Sequence, residues 1–378
     1  MSGTAAAAAD AALQQRAAAL LEGLVRIRSV SGEEQAAGDH LAALLADGGL
    51  EARRIGVNVV AEVRGPQAGS DAPVLMLCSH LDTVPAAANW SVDPWDAHWQ
   101  DGVLRGLGAN DAKASVAAMS AAGLYAAAQP EVLDGIVLRL AFVAQEETNN
   151  AGAAEVLAAC GRPDAAVIGE PTALQVVRSQ AGLAVLTARW SGKGCHAAHA
   201  ARVENDNALV KAAREMATLE PCAVLDAGHP LMGPTTLVPA VFHAGDRHNR
   251  VPDSAEAVFD GRLTPPHTAA DLVALLRDRL PSAEIAVRSE RLRPVDTPEA
   301  HAFVRAALQA AGAEAAVGSN TMSDMALLDG VPAVKCGPGR TERSHVADEF
   351  VTAEELAAGV DFHVALLPLA ARALQGNA

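Results

Sequence analysis

Three features of the sequence predict an α/β fold with a smaller domain inserted into it. Short apolar runs such as Val74–Leu77 and Ile136–Ala144 read as strands buried on both faces of a parallel sheet. Helical periodicities alternate with them, as expected of a sheet covered by helices. Near Val176 the order changes to strand, helix, two strands, helix, strand, and after Arg291 the earlier alternation resumes. The expected architecture is a mixed, mostly parallel sheet with helices on both faces, built from residues 1–176 and 291–378. A ferredoxin-like βαββαβ domain interrupts it at 177–290.

The elements follow in order. Leu13, Leu20, Leu21, Leu24 and Val25 recur at helical spacing and predict a helix over Ala11–Arg26. Ser31 and Glu34 stand as in a capping box, which predicts a second helix from Gln35 to Ala46, stopped by Gly48-Gly49. Val57–Val63 and Val74–Leu77 are predicted strands, joined by a loop rich in Gly, Pro, Ser and Asp. Thr83–Gly108 reads as one long loop holding Trp90, Trp95 and Trp99, and loops of that length are usually functional. Helix Ala112–Ala128, strand Ile136–Ala144, helix Ala151–Cys160 and strand Ala165–Ile168 complete the first segment.

In the inserted segment, strand Leu183–Trp190 precedes helix Asn205–Thr218. Strands Thr235–His243 and Ala255–Leu263 follow, then helix Ala269–Leu280 and strand Glu284–Arg288. The last segment holds helix Glu299–Gly312, a helical turn near Met325, strand Ala333–Cys336 and helix Ala353–Leu374. The Ala-rich stretches are helix formers, and no internal repeat is seen.

Composition narrows the function. A formal net charge of −16 argues against a nucleic-acid partner, which needs a concentrated basic surface, and against an anionic membrane surface. No run approaches the roughly 18 apolar residues of a membrane span. The Ala-rich Met1–Asp10 lacks the basic start and long apolar core of a secretory signal. Five scattered cysteines without a CxxC pair suit a reducing compartment. A soluble cytoplasmic protein is expected.

Chemistry concentrates at the ends of the predicted strands. His80 and Asp82 stand two apart where Val74–Asp82 turns polar, so in extended backbone they share a side. His80 is a candidate metal ligand, with Asp82 to orient it. Asp111 opens a helix from a Gly-rich loop, Glu146 and Glu147 follow one strand, Glu170 another, and His345 a Gly-Pro-Gly turn after the last strand. Carboxyl ends of parallel strands converge on one crevice, and a set of imidazoles and carboxylates there suits zinc or cobalt.

These residues lie in motifs that resemble a known family, the di-zinc metallohydrolases that include acetylornithine deacetylase, succinyl-diaminopimelate desuccinylase, carboxypeptidase G and aminoacylase. The motifs are Ser79-His80-Leu81-Asp82-Thr83-Val84-Pro85, Gly108-Ala109-Asn110-Asp111-Ala112-Lys113, Gln145-Glu146-Glu147-Thr148, Gly169-Glu170-Pro171-Thr172 and Gly337-Pro338-Gly339 leading to His345. They stand in family order over nearly the whole chain. The resemblance implies two divalent ions, zinc or cobalt. His80, Asp111 and Glu170 would hold one and Asp111, Glu147 and His345 the other, with Asp111 as the bridge. It also implies that Asp82 orients His80 and that Glu146 is the general base. Such a base must reach the attacking water without being locked to a metal, and adjacent glutamates can divide that labour.

In the inserted segment, Gly192-Lys193-Gly194-Cys195-His196 is similar to the family's lid motif, which makes His196 a candidate to stabilise the oxyanion, in homodimers from the neighbouring subunit. Asn249 and Arg262 resemble the family's substrate-binding pair, the guanidinium being suited to a carboxylate. Ala114-Ser115, Ala200-Ala201-Arg202 and Ser323-Asp324 depart from common family patterns without touching a candidate ligand. The expected activity is removal of a small acyl group from an N-acyl amino acid by a homodimer that pairs through the inserted lid domain. Gly337-Pro338-Gly339 and Asp348-Glu349-Phe350 resemble acetylornithine deacetylase and its N-acetyl-lysine or N-acyl-citrulline relatives most. A desuccinylase, a dipeptidase or carboxypeptidase, or a silent member of the same fold are the alternatives.

Overall fold

The computed structural model describes residues 10–225 and 228–376. The reading of the extreme N-terminus therefore lies outside the described residues. The chain folds into two compact units, one of residues 1–178, 297–317 and 323–378, the other of residues 179–296 and 318–322.

The first unit opens with α1 (Ala11–Val25) and α2 (Gln35–Asp47), then β1 (Ala52–Ile55), β2 (Asn58–Arg64) and β3 (Val74–His80). β4 (Trp99–Gln100) and β5 (Val103–Arg105) precede α3 (Lys113–Ala128), β6 (Val137–Val143), α4 (Ala151–Cys160) and β7 (Ala165–Ile168). The chain passes to the second unit within β8 (Val177–Gln180). β3, β6, β7 and, later, β16 (Ala333–Lys335) run parallel, and β2 and β1 extend the β6 edge antiparallel. The mixed, mostly parallel sheet is as the apolar runs predict. β6 and β7 are buried at every residue because helices cover both faces.

The second unit contains β9 (Gly182–Ser191), α5 (Ala208–Met216), β10 (Ala223–Val224), β11 (Thr236–Ala244), β12 (Ser254–Leu263), α6 (Ala269–Arg279), β13 (Ala283–Leu292) and β14 (Val295–Asp296). Its antiparallel sheet has the order β10-β11-β12-β9-β13. The four long strands with α5 and α6 make the split βαββαβ motif. Ala184, Leu186, Ala188, Trp190, Ala257, Phe259, Leu272 and Leu276 form a core of their own.

α7 (Ala302–Ala311), β15 (Val317–Ser319), β16, β17 (Phe350–Thr352) and α8 (Ala353–Leu374) complete the chain. α8 is long and apolar enough to cross a bilayer by length and composition. Its apolar residues serve packing instead: Leu356, Val360, Phe362, Val364, Leu366 and Leu367 belong to the first unit's core, against α1, α3 and α7.

Two local expectations need correction. Thr83–Gly108 is not one structureless loop, because β4 and β5 form a hairpin that β17 extends to a three-stranded sheet. Ser31 and Glu34 do not form a capping box: Glu34 occupies the N-cap of α2 but makes no side-chain cap bond. Both side chains are drawn elsewhere, by groups described next.

Candidate active site

The parallel order of β3, β6, β7 and β16 places the loops after them along one edge. His80 closes β3, Glu146 and Glu147 follow β6, Glu170 follows β7, and His345 follows β16 through the Gly-Pro-Gly turn. Asp111 enters from the loop that starts α3. Donor atoms of His80, Asp111 and Glu147 lie within 4.8 Å of one another. His80 Nε2 is 3.3 Å from Asp111 Oδ1. His345 Nε2 is 3.0 Å from Glu147 Oε1 and 3.7 Å from Asp111 Oδ2. Residues 265 positions apart, His80 and His345, thus face one carboxylate.

Hydrogen bonding decides how His80 presents itself. Its Nδ1 stands 3.0 Å from the Asp82 backbone carbonyl, which can only accept, so Nδ1 carries the proton. Nε2 faces the Asp111 carboxylate, which can only accept, so the space between them favours a positive charge, either a proton on Nε2 or a divalent cation in its place.

The carboxylate of Asp82 lies 3.6 Å from His80 Nδ1, and it also accepts hydrogen bonds from two other loops. Oδ1 accepts from the Glu146 amide at 3.1 Å, Oδ2 from the Glu147 amide at 3.2 Å and from Ser31 Oγ at 2.6 Å. Glu34 Oε1 accepts from the Gln145 amide at 3.2 Å and the Gly32 amide at 2.8 Å. Three successive amides of the glutamate turn are therefore held by two buried carboxylates. Asp82 is fully buried and Glu34 nearly so, and a buried carboxylate without donors would be costly. That need takes Ser31 and Glu34 away from helix capping. Gln145 adopts φ 60 and His345 φ 61, left-handed conformations that persist where surrounding contacts over-determine them.

Charge in the site is out of balance. Burial, then repulsion from Glu170, pushes the Glu146 carboxyl well above its ordinary range. Burial, partly relieved by His80 and reinforced by Asp111, pushes Glu170 up to about 8. For His80, burial favours the neutral ring, but Asp111 and Asp82 outweigh it and the imidazole is held well above its usual value. His345 rises to about 9, chiefly through its hydrogen bond to Glu147. Carboxylates pushed upward chiefly by burial stand beside imidazoles drawn upward by carboxylates, so positive charge among them is favourable. Oxygen and nitrogen donors in this number fit divalent cations of the zinc or cobalt type.

Comparison with known proteins supports the same chemistry. Residues 76–368 match the family model described as peptidase family M20/M25/M40. The chain belongs to that family. This M20 chain is 30% identical over 318 residues to an acetylornithine deacetylase of Edwardsiella ictaluri, covering 76% of the chain and 77% of the relative. It is similar in fold to the aminopeptidase PepT of Bacillus cereus, with TM-score 0.75, 19% identity, and 94% and 98% of the two chains covered. A dinuclear metal-binding peptidase of the M20 family from Bacillus subtilis aligns with TM-score 0.74 and 18% identity over 96% and 99% of the chains. The M20 chain is accordingly a metallohydrolase of amide or peptide bonds.

In the second unit, His196 and Asn249 come together: the Ala197 amide donates to the Asn249 carbonyl at 2.9 Å, and His196 bridges to Arg250. His196 Nδ1 accepts from the Ala198 amide, which leaves the proton on its exposed Nε2. Arg262 is exposed, and its guanidinium fork is filled by Asp260 at 2.7 and 3.1 Å.

Reading along the sequence missed several residues of this M20 site. Ser31 and Glu34 were visible only as a helix start. Lys113, fully buried, donates Nζ to the carbonyls of Leu24 at 3.1 Å and Ile27 at 3.2 Å, and so satisfies the C-terminal end of α1. Asn110 and Glu349 join the loops around Asp111 and His345. In the sequence they stand inside runs that carry the family resemblance, Asn110 before Asp111 and Glu349 in Asp348-Glu349-Phe350, without a role of their own.

Proposed function

We propose that this chain is a co-catalytic two-metal amidohydrolase that removes a small acyl group from the amine of an amino acid, N-acetylornithine first, with N-acetyl-citrulline or N-acetyl-lysine as near alternatives. The observation that carries the reading is the convergence of His80, Asp111, Glu147 and His345 in a chain 30% identical to an acetylornithine deacetylase over three quarters of its length. His80, Asp111 and Glu170 would hold one ion and Asp111, Glu147 and His345 the other. Ions of the zinc or cobalt class supply Lewis-acid polarisation of a carbonyl and lower the pKa of a water towards neutrality.

The residues of the chain do the rest. Glu146 takes the proton of the attacking water and returns it to the departing amine nitrogen. Its backbone is tethered by Asp82 while its side chain is left to move that proton. Asp82 also faces His80 and holds the turn that carries Glu147. His196, protonated on Nε2, donates to the oxygen that becomes negative during attack. Asn249 and Arg262 bind the amino-acid portion, Arg262 exchanging Asp260 for the substrate carboxylate.

A desuccinylase would need further cations for a second carboxylate. Arg343 hydrogen-bonds Glu355 at 2.7 Å and lies over the Phe350 ring, and Arg340 pairs with the same glutamate at 3.5 Å. These partners favour the acetyl reading. We further read the second unit as a lid and homodimer surface. β11 past its short pairing with β10 is an open edge among the described residues, with its own Val241 and Phe242 exposed, and Leu209 and Val210 are exposed on α5. Free cysteines throughout the described chain fit a cytoplasmic location.

Metal analysis of the purified chain, with a hydrolysis panel of N-acetyl-ornithine, N-acetyl-citrulline, N-acetyl-lysine, N-succinyl-diaminopimelate and simple dipeptides, tests the proposal. Two ions per chain with preference for an acetylated basic amino acid is the expected outcome. Preference for dipeptides would replace the substrate assignment, and a chain that binds no divalent metal would end the reading.

A further inference from the structure

The loops that carry Asp111 and His345 are sewn together by two side chains that work in opposite directions. From the His345 loop, Glu349 reaches the backbone of the Asp111 loop. Its Oε1 accepts from the Asn110 and Asp111 amides, each at 2.8 Å, and Oε2 from the Gly108 amide at 3.2 Å. From the Asp111 loop, Asn110 reaches back. Its Oδ1 accepts from the Arg340 amide at 2.8 Å, and its Nδ2 donates to the Arg340 carbonyl at 3.0 Å. Both residues are buried, Asn110 at 0% and Glu349 at 2% exposure. The fit leaves no slack: a Cβ on Gly339, which sits at φ +83, would lie 2.3 Å from Asn110 Oδ1.

We propose that Glu349 and Asn110 form a reciprocal clasp that positions Asp111 against His345, so that the two residues present their donor atoms to divalent metal at a set separation. The clasp acts through the ligands and touches neither substrate nor metal. It rests on the two-metal reading above. The His345 side chain is 53% exposed, with Nε2 3.7 Å from Asp111, on a loop with no helix or strand of its own at that residue. Besides its contact with Glu147, the His345 loop is tied to the Asp111 loop by the bonds of Glu349 and Asn110, which set the distance between the two loops. A glutamate is suited to this because three amides converge on the two oxygens of one side chain, which together can accept from all of them. A glutamine would turn an NH2 donor towards at least one of those amides, leaving a buried donor unmatched.

Zinc affinity and stoichiometry, measured on the full chain by competition with a chromogenic chelator, test the clasp. The thermal midpoint of the metal-free protein is recorded alongside. Glu349→Gln and Asn110→Ala should each weaken at least one zinc equivalent about 10- to 100-fold, the range for partners that orient metal ligands. If the two side chains act as one device, the double variant should lose less than the product of the single losses. Val351→Ala, which trims a fully buried residue on the adjoining β17, supplies the stability control. It should lower the midpoint while leaving zinc affinity within about threefold, since it breaks no bond between the loops. Zinc affinity unchanged in both clasp variants, or weakened as much by Val351→Ala at equal midpoint loss, would overturn the clasp alone. A parent chain that binds no zinc would overturn the two-metal reading and the clasp with it. Should Glu349→Gln fail to fold, Asn110→Ala reads the same device from the opposite loop.

Discussion

Replacing His363 with leucine should abolish a pH dependence of stability that the histidine imposes on the fold. His363 lies within α8, has no exposed surface, and neither ring nitrogen has a hydrogen-bond partner among the described residues. Its ring packs edge-on against Phe362 at 4.9 Å. Burial pushes its pKa down from 6.5 to about 3, so the folded chain keeps the ring neutral where the unfolded chain protonates it. Between those values the unfolded state binds the extra proton, and stability falls as pH is lowered. Over the interval from pH 7 to pH 5, a group of unfolded pKa about 6.5 that stays neutral in the fold removes about 2 kcal/mol. The folded value hardly matters to this figure, because any pKa well below 5 leaves the buried ring neutral at both pH values. Urea unfolding of the parent and of His363→Leu at both pH values gives the result as a difference of differences, in which the carboxylates common to both proteins cancel. The parent should lose about 2 kcal/mol more than the variant, a roughly 30-fold change in the unfolding constant. A double difference below about 0.5 kcal/mol, the size of an ordinary surface substitution, would show the ring charged or partnered in the folded chain and refute the argument.

Other perturbations have equally definite outcomes. Glu146→Gln should retain metal by elemental analysis yet lose about 10²- to 10⁴-fold in kcat, and near-parental turnover would assign the base elsewhere. Ser31→Ala removes the hydroxyl donor to buried Asp82 and should cost about 1.5–3 kcal/mol in urea unfolding, whereas loss of a mere helix cap would cost nearer 1 kcal/mol. In Gly152→Ala the new methyl would meet the Ala144 carbonyl oxygen at 2.4 Å and Asn58 Oδ1 at 2.4 Å, so the thermal midpoint should fall by the equivalent of about 1–3 kcal/mol. Saturating the protein with zinc at about 100 times its Kd should stabilise it by roughly 2.7 kcal/mol over the chelated form, and equal midpoints would deny selective binding to the folded state.

Much of this molecule is legible along the chain. Residues such as Leu20, Leu21 and Leu24, or Leu237 and Phe259, announce their elements because helix and strand periodicities are local geometry, set within one segment. His80, Glu147 and Glu170 could be singled out because each ends a strand or follows one closely, and His345 because a Gly-Pro-Gly turn leads to it from the last parallel strand; parallel strands bring such ends to one edge. The short hairpin of β4 and β5 escaped that reading. Its strands have two and three residues, too few for alternation to show, and its sheet is completed by β17 some 245 positions later.

The sequence by itself determined which side chains could do chemistry and roughly where each would stand on the sheet. Only the tertiary structure decided what those side chains do with their hydrogen bonds. Ser31 and Glu34 satisfy the pattern of a helix start, yet Asp82 and the Gln145 amide take them. Asp82 has the spacing of an orienter of His80 and lies 3.6 Å from its Nδ1, but only the fold shows that its oxygens also hold the glutamate turn. Asn110 and Glu349 stand 239 positions apart and find each other's loops. The physical reason is common to all of these. A buried carboxylate or amide must be satisfied by whichever partner the fold brings within about 3 Å, and distance in space is the one quantity that neither residue type nor spacing encodes.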